Sequence, residues 1–156
     1  MYSTHFQSPL GTIEISAGDK GISSVLFVEE IPENHHPSEM LKDCISQLDE
    51  YFSGRRKEFS LPLAPEGTPF QKQVWQELQT ITFGKKISYL DIALKLGDKN
   101  ATRAVGAANG KNPIAIIIPC HRVIGENGKL TGYAGGLWRK DWLLDFESKN
   151  RQEKLF

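Results

Sequence analysis

The chain has 156 residues, 39% of them hydrophobic and 24% charged, with a formal net charge of zero at pH 7; that bounds it to one domain, or two small subdomains sharing a core, of ordinary globular composition. It has no apolar run of membrane-spanning length, its first residues lack the pattern of a signal peptide, and its two distant cysteines make neither a disulfide framework nor a zinc pair. A cytoplasmic protein with no membrane contact is expected, and one reactive thiol stays open. The zero charge hides a split: residues 1–65 hold 5 Lys+Arg and 10 Asp+Glu, net −5, and residues 66–156 hold 14 and 9, net +5. Unless the split is chance, the second part is the one suited to a polyanion.

Tyr2–Gln7, Thr12–Ala17 and Ile22–Val28 are short β-prone segments. Ser8-Pro9-Leu10-Gly11 and Gly18-Asp19-Lys20-Gly21 separate them with turn chemistry, which predicts an antiparallel meander. Pro32 to Pro37 is a polar loop; His35 and His36 in it have no further ligands nearby and read as solvated. Ser38 can cap a helix running to about Phe52, with Leu41, Cys44, Ile45, Leu48 and Phe52 on one face. Cys44 lies in that stripe and reads as a small buried hydrophobe. Arg55, Arg56 and Lys57 follow at the carboxyl end, where the helix dipole favours cations, and read as solvated surface.

Leu61 to Gly67, with Pro62 and Pro65, reads as a linker. Thr68-Pro69-Phe70-Gln71 is a capping box with proline in the first turn. The helix it opens carries Phe70, Val74, Leu78 and Ile81 on its apolar face and ends before Gly84. Ser88 to Asp91 is a second capping box, opening a helix that turns Leu90, Ala93 and Leu94 inward, with Leu96 at the margin. After the turn Gly97-Asp98-Lys99-Asn100, residues Ala101 to Asn109 form a third helix of almost wholly small side chains. Two helices across a glycine turn make a helix-turn-helix pattern. Two readings of the third helix stay open: a recognition helix projecting Arg103, or close packing inside a core with Arg103 merely on the surface.

Asn112-Pro113 is a turn, and Ile114 to Ile118 reads as a buried strand. The strand stops at Pro119 and delivers Cys120 and His121 to the edge of the core. Gly125 to Lys129 is a hairpin turn. Thr131 to Gly136 is a glycine-rich loop without phosphate-loop spacing, able to lie flat against a planar ligand. Leu137 to about Lys149 is the last helix, with Trp138, Trp142, Leu143 and Phe146 available for packing. A free thiol is only about 3% thiolate at pH 7, so a nucleophilic Cys120 needs a base or a positive field. His121 adjoins it, but neighbours in an extended chain point to opposite sides. Contact requires a turn after Pro119 or a bridging water. Glu147 is a candidate to fix the imidazole tautomer.

Pro119-Cys120-His121-Arg122-Val123, preceded by Asn112-Pro113 and followed by Gly132-Tyr133-Ala134-Gly135-Gly136-Leu137, resembles the methylated-DNA–protein-cysteine methyltransferases, the suicide O(6)-alkylguanine-DNA alkyltransferases. The resemblance is strongest from Phe70 to Glu147. It implies an α+β fold: a small antiparallel-sheet, ribonuclease H-like amino-terminal subdomain over residues 1–64, packed on a helix-turn-helix, winged-helix-like catalytic subdomain over 68–156. It implies single-turnover repair, with Cys120 as alkyl acceptor, His121 drawing its proton through a water, Glu147 holding the imidazole and Asn112 tying the turn to the helix-turn-helix. Tyr89, Val123, Tyr133, Ala134 and Gly135 would bind the base. Arg103, Thr102, Gly106, Asn109 and Tyr89 would meet double-stranded DNA through its minor groove, Arg103 filling the gap left by the flipped base. The protein would act as a monomer, without cofactor or metal. Human-type members carry zinc ligands that His35, His36 and Cys44 do not reproduce. Ala115 stands where many members have proline, and Cys120 argues against the alkyltransferase-like subclass that lacks the cysteine. The rival functions are a winged-helix DNA-binding module without chemistry and a thiol hydrolase. O(4)-methylthymine is a second expected substrate.

Overall fold

A computed structural model of the chain describes residues 2–29 and 39–150. It divides into two compact units, residues 1–66 with 113–115, and residues 67–112 with 116–156. The boundary falls at the proline-containing linker, but the turn after Asn112 belongs to the first unit, which sequence periodicity does not reveal.

In the first unit β1 (Tyr2–Ser8), β2 (Gly11–Gly18) and β3 (Gly21–Val28) form an antiparallel sheet in the order β1-β2-β3. Alternation on β2 buries Ile13, Ile15 and Ala17 and leaves their neighbours half-exposed. The outer edge of β3 is covered. Ile22 N donates to Pro62 O at 2.8 Å and Ala64 N to Ile22 O at 2.7 Å; Val25 N donates to Pro113 O at 2.9 Å and Ala115 N to Val25 O at 3.0 Å. Residues 62–64 and 113–115 thus protect an edge that would otherwise invite pairing with another chain. Gly21 has a φ of +152° and lies against Pro62, where a Cβ would sit 2.6 Å from the carbonyl oxygen. The glycine is required for that approach.

Helix α1 (Glu39–Phe52) packs on this sheet through Leu41, Cys44, Leu48 and Tyr51. Tyr51 takes a core place that helical periodicity assigns to Ile45 and Phe52, both only half-buried. Burial raises the Cys44 thiol to about 12, which keeps it an inert hydrophobe at neutral pH. The Ser38 cap, the Pro32–Pro37 loop, His35 and His36 lie outside the described residues. Arg56 pairs with Glu50 at 2.7 Å and Arg55 with Asp49 at 3.7 Å, so two of the three cations are partly neutralised within their own unit.

The second unit begins at α2 (Pro69–Leu78), where both capping-box bonds form: Gln71 N to Thr68 Oγ1 at 3.1 Å and Thr68 N to Gln71 Oε1 at 2.9 Å. The second box forms equally, with Ser88 capping α3 (Tyr89–Lys95). A turn stabilised by Asp98 leads into α4 (Thr102–Gly110). On α3 the buried residues are Ile92 and Ala93, whereas Leu94 is 54% exposed, a correction of the inward face expected for it. Trp75, unremarked in the sequence, is a buried tie: its Nε1 donates to Ala108 O on α4 at 2.9 Å. The two-residue strands β4 (Ile87–Ser88) and β5 (Val123–Ile124) pair in parallel, and α5 (Leu137–Asn150) ends the described chain. Trp138 on α5 is 58% exposed, which corrects its expected place in the packing. No described helix is long and apolar enough to cross a membrane.

Candidate active site

The segment expected as a strand is a buried turn. Ile114 makes one bridge to Val25, and the chain then curls, with Ile116 at φ +72°. Ile116, Ile117 and Ile118 are buried all the same. A run of buried isoleucines looks identical in composition whether it is extended or curled, so no residue type there announces the curl. In the left-handed region a β-branched side chain is strained, and the surrounding packing must hold it there.

Pro119 then turns the chain into a single helical turn, Cys120–Arg122, closed by Arg122 N to Pro119 O at 3.0 Å. This supplies the turn that neighbouring Cys120 and His121 need in order not to point to opposite sides. Two asparagines grip the turn's backbone. Asn112 Nδ2 donates to Ile118 O at 2.8 Å, and Asn109 Nδ2 reaches Cys120 O at 3.4 Å. Asn112 also hydrogen-bonds the Cys120 thiol.

His121 is fully buried, and its Nε2 lies 2.7 Å from Glu147 Oε2. Burial alone would raise the Glu147 carboxyl, but His121 and Arg122 beside it hold it well below the usual carboxylate range. An ionised carboxylate only accepts, so Nε2 carries the hydrogen and Nδ1 keeps a lone pair. Nδ1 is buried and has no hydrogen-bond partner among the described residues. Burial lowers the His121 pKa more than Glu147 raises it, so the resting ring is neutral and able to take a proton.

Arg122 is a site residue that the sequence reading left as part of a motif. Its Nε and Nη2 donate to the two Glu147 oxygens at 2.8 and 2.9 Å, and its Nη1 donates to Ile81 O. Gly84 N adds a bond to Glu147 Oε1 at 3.2 Å. The carboxylate is therefore fixed by α5, the turn after α2 and the Cys120 turn together.

Lys140 is the second residue that sequence reasoning missed. It is buried on α5 and donates to Thr131 O at 2.6 Å, with its ammonium 5.9 Å from the Tyr89 ring centroid. Burial lowers its pKa to about 8, while the Cys120 thiolate would raise it. Conversely, burial raises the Cys120 pKa, and Asn112 and Lys140 pull it back down. The thiol thus rests protonated, with a donor and a cation ready for the thiolate. No local pattern distinguishes Lys140 from the other lysines in the chain; only its burial does.

Thr131 Oγ1 donates to Tyr89 Oη at 2.9 Å, which joins the first residue of α3 to the glycine-rich loop. That loop is pinned by Gly136 N to Tyr133 O at 2.8 Å and Arg139 Nη1 to Gly135 O at 2.8 Å. Tyr133 is half-buried and its hydroxyl has no partner among the described residues. Burial and the neighbouring Cys120 raise its pKa well above that of a free phenol, so it stays a neutral hydroxyl. The turn from Gly125 to Lys129 forms, but no strand follows it, so it is not a hairpin.

On α4, Arg103 is exposed and Val105 and Ala108 are buried. Gly106 faces the Tyr89 ring, where a Cβ would sit 3.9 Å away. Thr102 donates its hydroxyl to Lys99 O at 2.8 Å. Asn109 does not belong with these as a groove-facing residue: it is 2% exposed and turned toward the Cys120 turn. Helical spacing from Arg103 to Asn109 is six residues, more than one and a half turns, which carries it off the exposed face. Among the described residues no three His, Cys, Asp or Glu side chains converge as metal ligands.

Residues 69–149 match the family model described as 6-O-methylguanine DNA methyltransferase, DNA binding domain, and residues 1–65 match its ribonuclease-like domain. The chain is 47% identical over 153 residues to the methylated-DNA–protein-cysteine methyltransferase of Methanosarcina acetivorans, covering 94% of this chain and 98% of that one. It is 43% identical over 163 aligned residues to the constitutive methylated-DNA–protein-cysteine methyltransferase of Bacillus subtilis, covering 98% and 99%. The solved structure of Mycobacterium tuberculosis OGT in complex with DNA is 41% identical, with a TM-score of 0.88, covering 96% and 94%.

Proposed function

The chain belongs to the 6-O-methylguanine DNA methyltransferase family, and from that premise we propose that Cys120 is the acceptor of the alkyl group of O(6)-alkylguanine in double-stranded DNA. It is a DNA-repair methyltransferase that binds DNA. What carries the assignment to Cys120 is the buried chain of contacts that prepares one thiol: Asn112 on its sulfur, and Glu147 fixing a neutral His121 with its Nδ1 lone pair free.

The chemistry is an in-line displacement. Cys120 Sγ forms a bond to the alkyl carbon as the bond from that carbon to guanine O6 breaks. The thiol proton passes to His121 Nδ1 through solvent. Glu147 stabilises the imidazolium, and Lys140 and Asn112 favour the thiolate. Tyr89 gives a proton toward the departing guanine, so that the proton lost by the thiol is the one the base gains overall. The product is a thioether, which has no leaving group comparable to guanine, so each molecule acts once.

A base inside a duplex cannot reach a buried sulfur, so the target nucleotide leaves the stack at a cost of roughly a few kcal/mol. Arg103 projects from the exposed face of α4 and enters the duplex to replace the lost stacking, with Thr102 and Gly106 bringing the helix backbone close to the minor groove. Tyr133, Val123, Ala134 and Gly135 form walls for the extruded base. O(4)-methylthymine, which carries a similar alkyl ether, is a second substrate. The protein works as a monomer in the cytoplasm.

Whole-protein mass after incubation with a duplex carrying O(6)-methylguanine is the test. A gain of one methyl (~14 Da) on Cys120, absent in Cys120→Ala, is expected. Binding without mass gain would make the chain a DNA-binding module, and ester or amide turnover beyond one equivalent would make it a hydrolase.

A further inference from the structure

Tyr89 opens α3, and its hydroxyl meets that of Thr131 at the start of the glycine-rich loop. Both residues are half-buried, and the two oxygens lie 2.9 Å apart. The Thr131 hydroxyl donates and the Tyr89 hydroxyl accepts. A phenol carries one hydrogen as well as acceptor lone pairs, so Tyr89 keeps its own hydrogen for another partner. Had the tyrosine donated, that hydrogen would be spent inside the protein.

Thr131 is held by bonds that do not involve its hydroxyl. The buried Lys140 donates to its carbonyl at 2.6 Å. Its methyl packs beside Gly125, where a Cβ would sit 3.3 Å away, and Gly125 N donates to Lys129 O at 2.8 Å. The hydroxyl is therefore presented to Tyr89 from a fixed backbone. A hydrogen bond to an ionised acceptor is about twice as strong as one to a neutral acceptor. The Thr131 bond thus strengthens as Tyr89 gives up its proton, which favours the transition state over the ground state.

We infer that Thr131 is a positioning residue for proton transfer to the leaving base: its hydroxyl donates to Tyr89 Oη, directs the phenol hydrogen toward the departing guanine and steadies the phenolate as that hydrogen leaves. The inference rests on Tyr89 being the proton donor. In this step the Oη–H bond breaks, its electron pair stays on Tyr89 and the proton joins guanine. The proton that His121 takes from the thiol returns through solvent to the phenolate, so none is gained or lost overall.

The test follows single-turnover methylation of Cys120 by mass, at saturating duplex carrying O(6)-methylguanine, and measures duplex affinity separately. The variants are Thr131→Val, Thr131→Ser, Tyr89→Phe and the double variant. Valine keeps the shape of threonine and removes the hydroxyl. Thr131→Val should react about 10-fold slower, the scale of one hydrogen bond to a developing charge, with duplex affinity within about twofold of wild type. Thr131→Ser should return the rate to within about threefold of wild type. In the Tyr89→Phe background, Thr131→Val should change the rate by less than about twofold, because the two hydroxyls act as a pair.

Equal slowing by Thr131→Val in both backgrounds would overturn the inference and return Thr131 to a structural role. A faster Thr131→Val would overturn it as well, since the threonine would then have been tying up the tyrosine hydrogen. If Thr131→Val does not fold, Thr131→Ala carries the same predictions. A slow Tyr89→Phe beside an unaffected Thr131→Val removes the inference and leaves Tyr89 as donor. A Tyr89→Phe that reacts as fast as wild type removes the donor assignment and the inference together.

Discussion

Glu147 accepts from His121 and from two nitrogens of Arg122, so its loss would strand a buried guanidinium as well as release the imidazole. Breaking a buried pair by removing one partner costs about 3–5 kcal/mol. Glu147→Gln should therefore lower the melting temperature and slow alkyl transfer together. The pH dependence separates this from a general packing defect. The Glu147 pKa is depressed in the folded state, so its contribution is present above the unfolded value, about 4.3, and is lost as pH falls below that. His121 is also depressed, so stability begins to erode earlier, below about 6.5, where the unfolded chain takes up a proton that the buried ring refuses. Melts at pH 8, 6, 4.5 and 3.5 should show the wild type declining in both windows. The gap between wild type and Glu147→Gln should narrow only in the lower one, and only in part by pH 3.5, because a carboxyl held so far down is still largely ionised there. A gap that stays constant to pH 3.5 would show that the carboxylate's charge contributes nothing.

The helices α2 and α3 begin with the same device, and they serve different ends. Thr68→Ala and Ser88→Ala each remove a side-chain acceptor for an orphan backbone N–H, at a cost of about 1 kcal/mol. Thr68 caps a helix whose buried residues serve the core. Ser88 caps the seven-residue helix that begins with Tyr89. Both variants should melt lower by similar amounts, but only Ser88→Ala should slow methyl transfer from duplex DNA. Equal rates in the two would detach Tyr89 from the reaction. These caps were legible in the sequence because capping is local chemistry, settled within four residues. The curl at Ile116 was not, because a buried turn and a buried strand need the same side chains and differ only in a φ that no residue type there announces. The interior place of Ile92 in preference to Leu94 was hidden for a related reason: in a two-turn helix, several apolar residues compete and tertiary packing chooses. A motif and a family resemblance single out Cys120, His121, Asn112 and Glu147 as candidates, and the structure brings the four together. Arg122 and Lys140 gain their roles from burial, which sequence alone does not supply.

At the scale of the whole chain, charge is the property that a total conceals. The net charge is zero, yet the residues after 65 carry +5 and those before carry −5. Arg103, Lys95, Lys99 and Lys111 are all exposed in and around the helix-turn-helix, whereas Arg55 and Arg56 of the first unit already have carboxylate partners. Local field, not net charge, decides association with DNA, because screening confines each charge's reach to roughly 8–10 Å at physiological salt. If four of these cations neutralise phosphates, the affinity for undamaged duplex should fall with a log–log salt slope of about −3.6. Raising salt from 50 to 200 mM would then weaken binding ~150-fold. Arg103→Ala should flatten the slope by roughly one phosphate's worth if Arg103 also touches the backbone, and leave it unchanged if the side chain lies wholly within the base stack. Fluorescence anisotropy with a labelled duplex at four salt concentrations measures both. A wild-type affinity indifferent to salt would mean that the charge split along the chain is an accident of composition and that DNA is held by other forces.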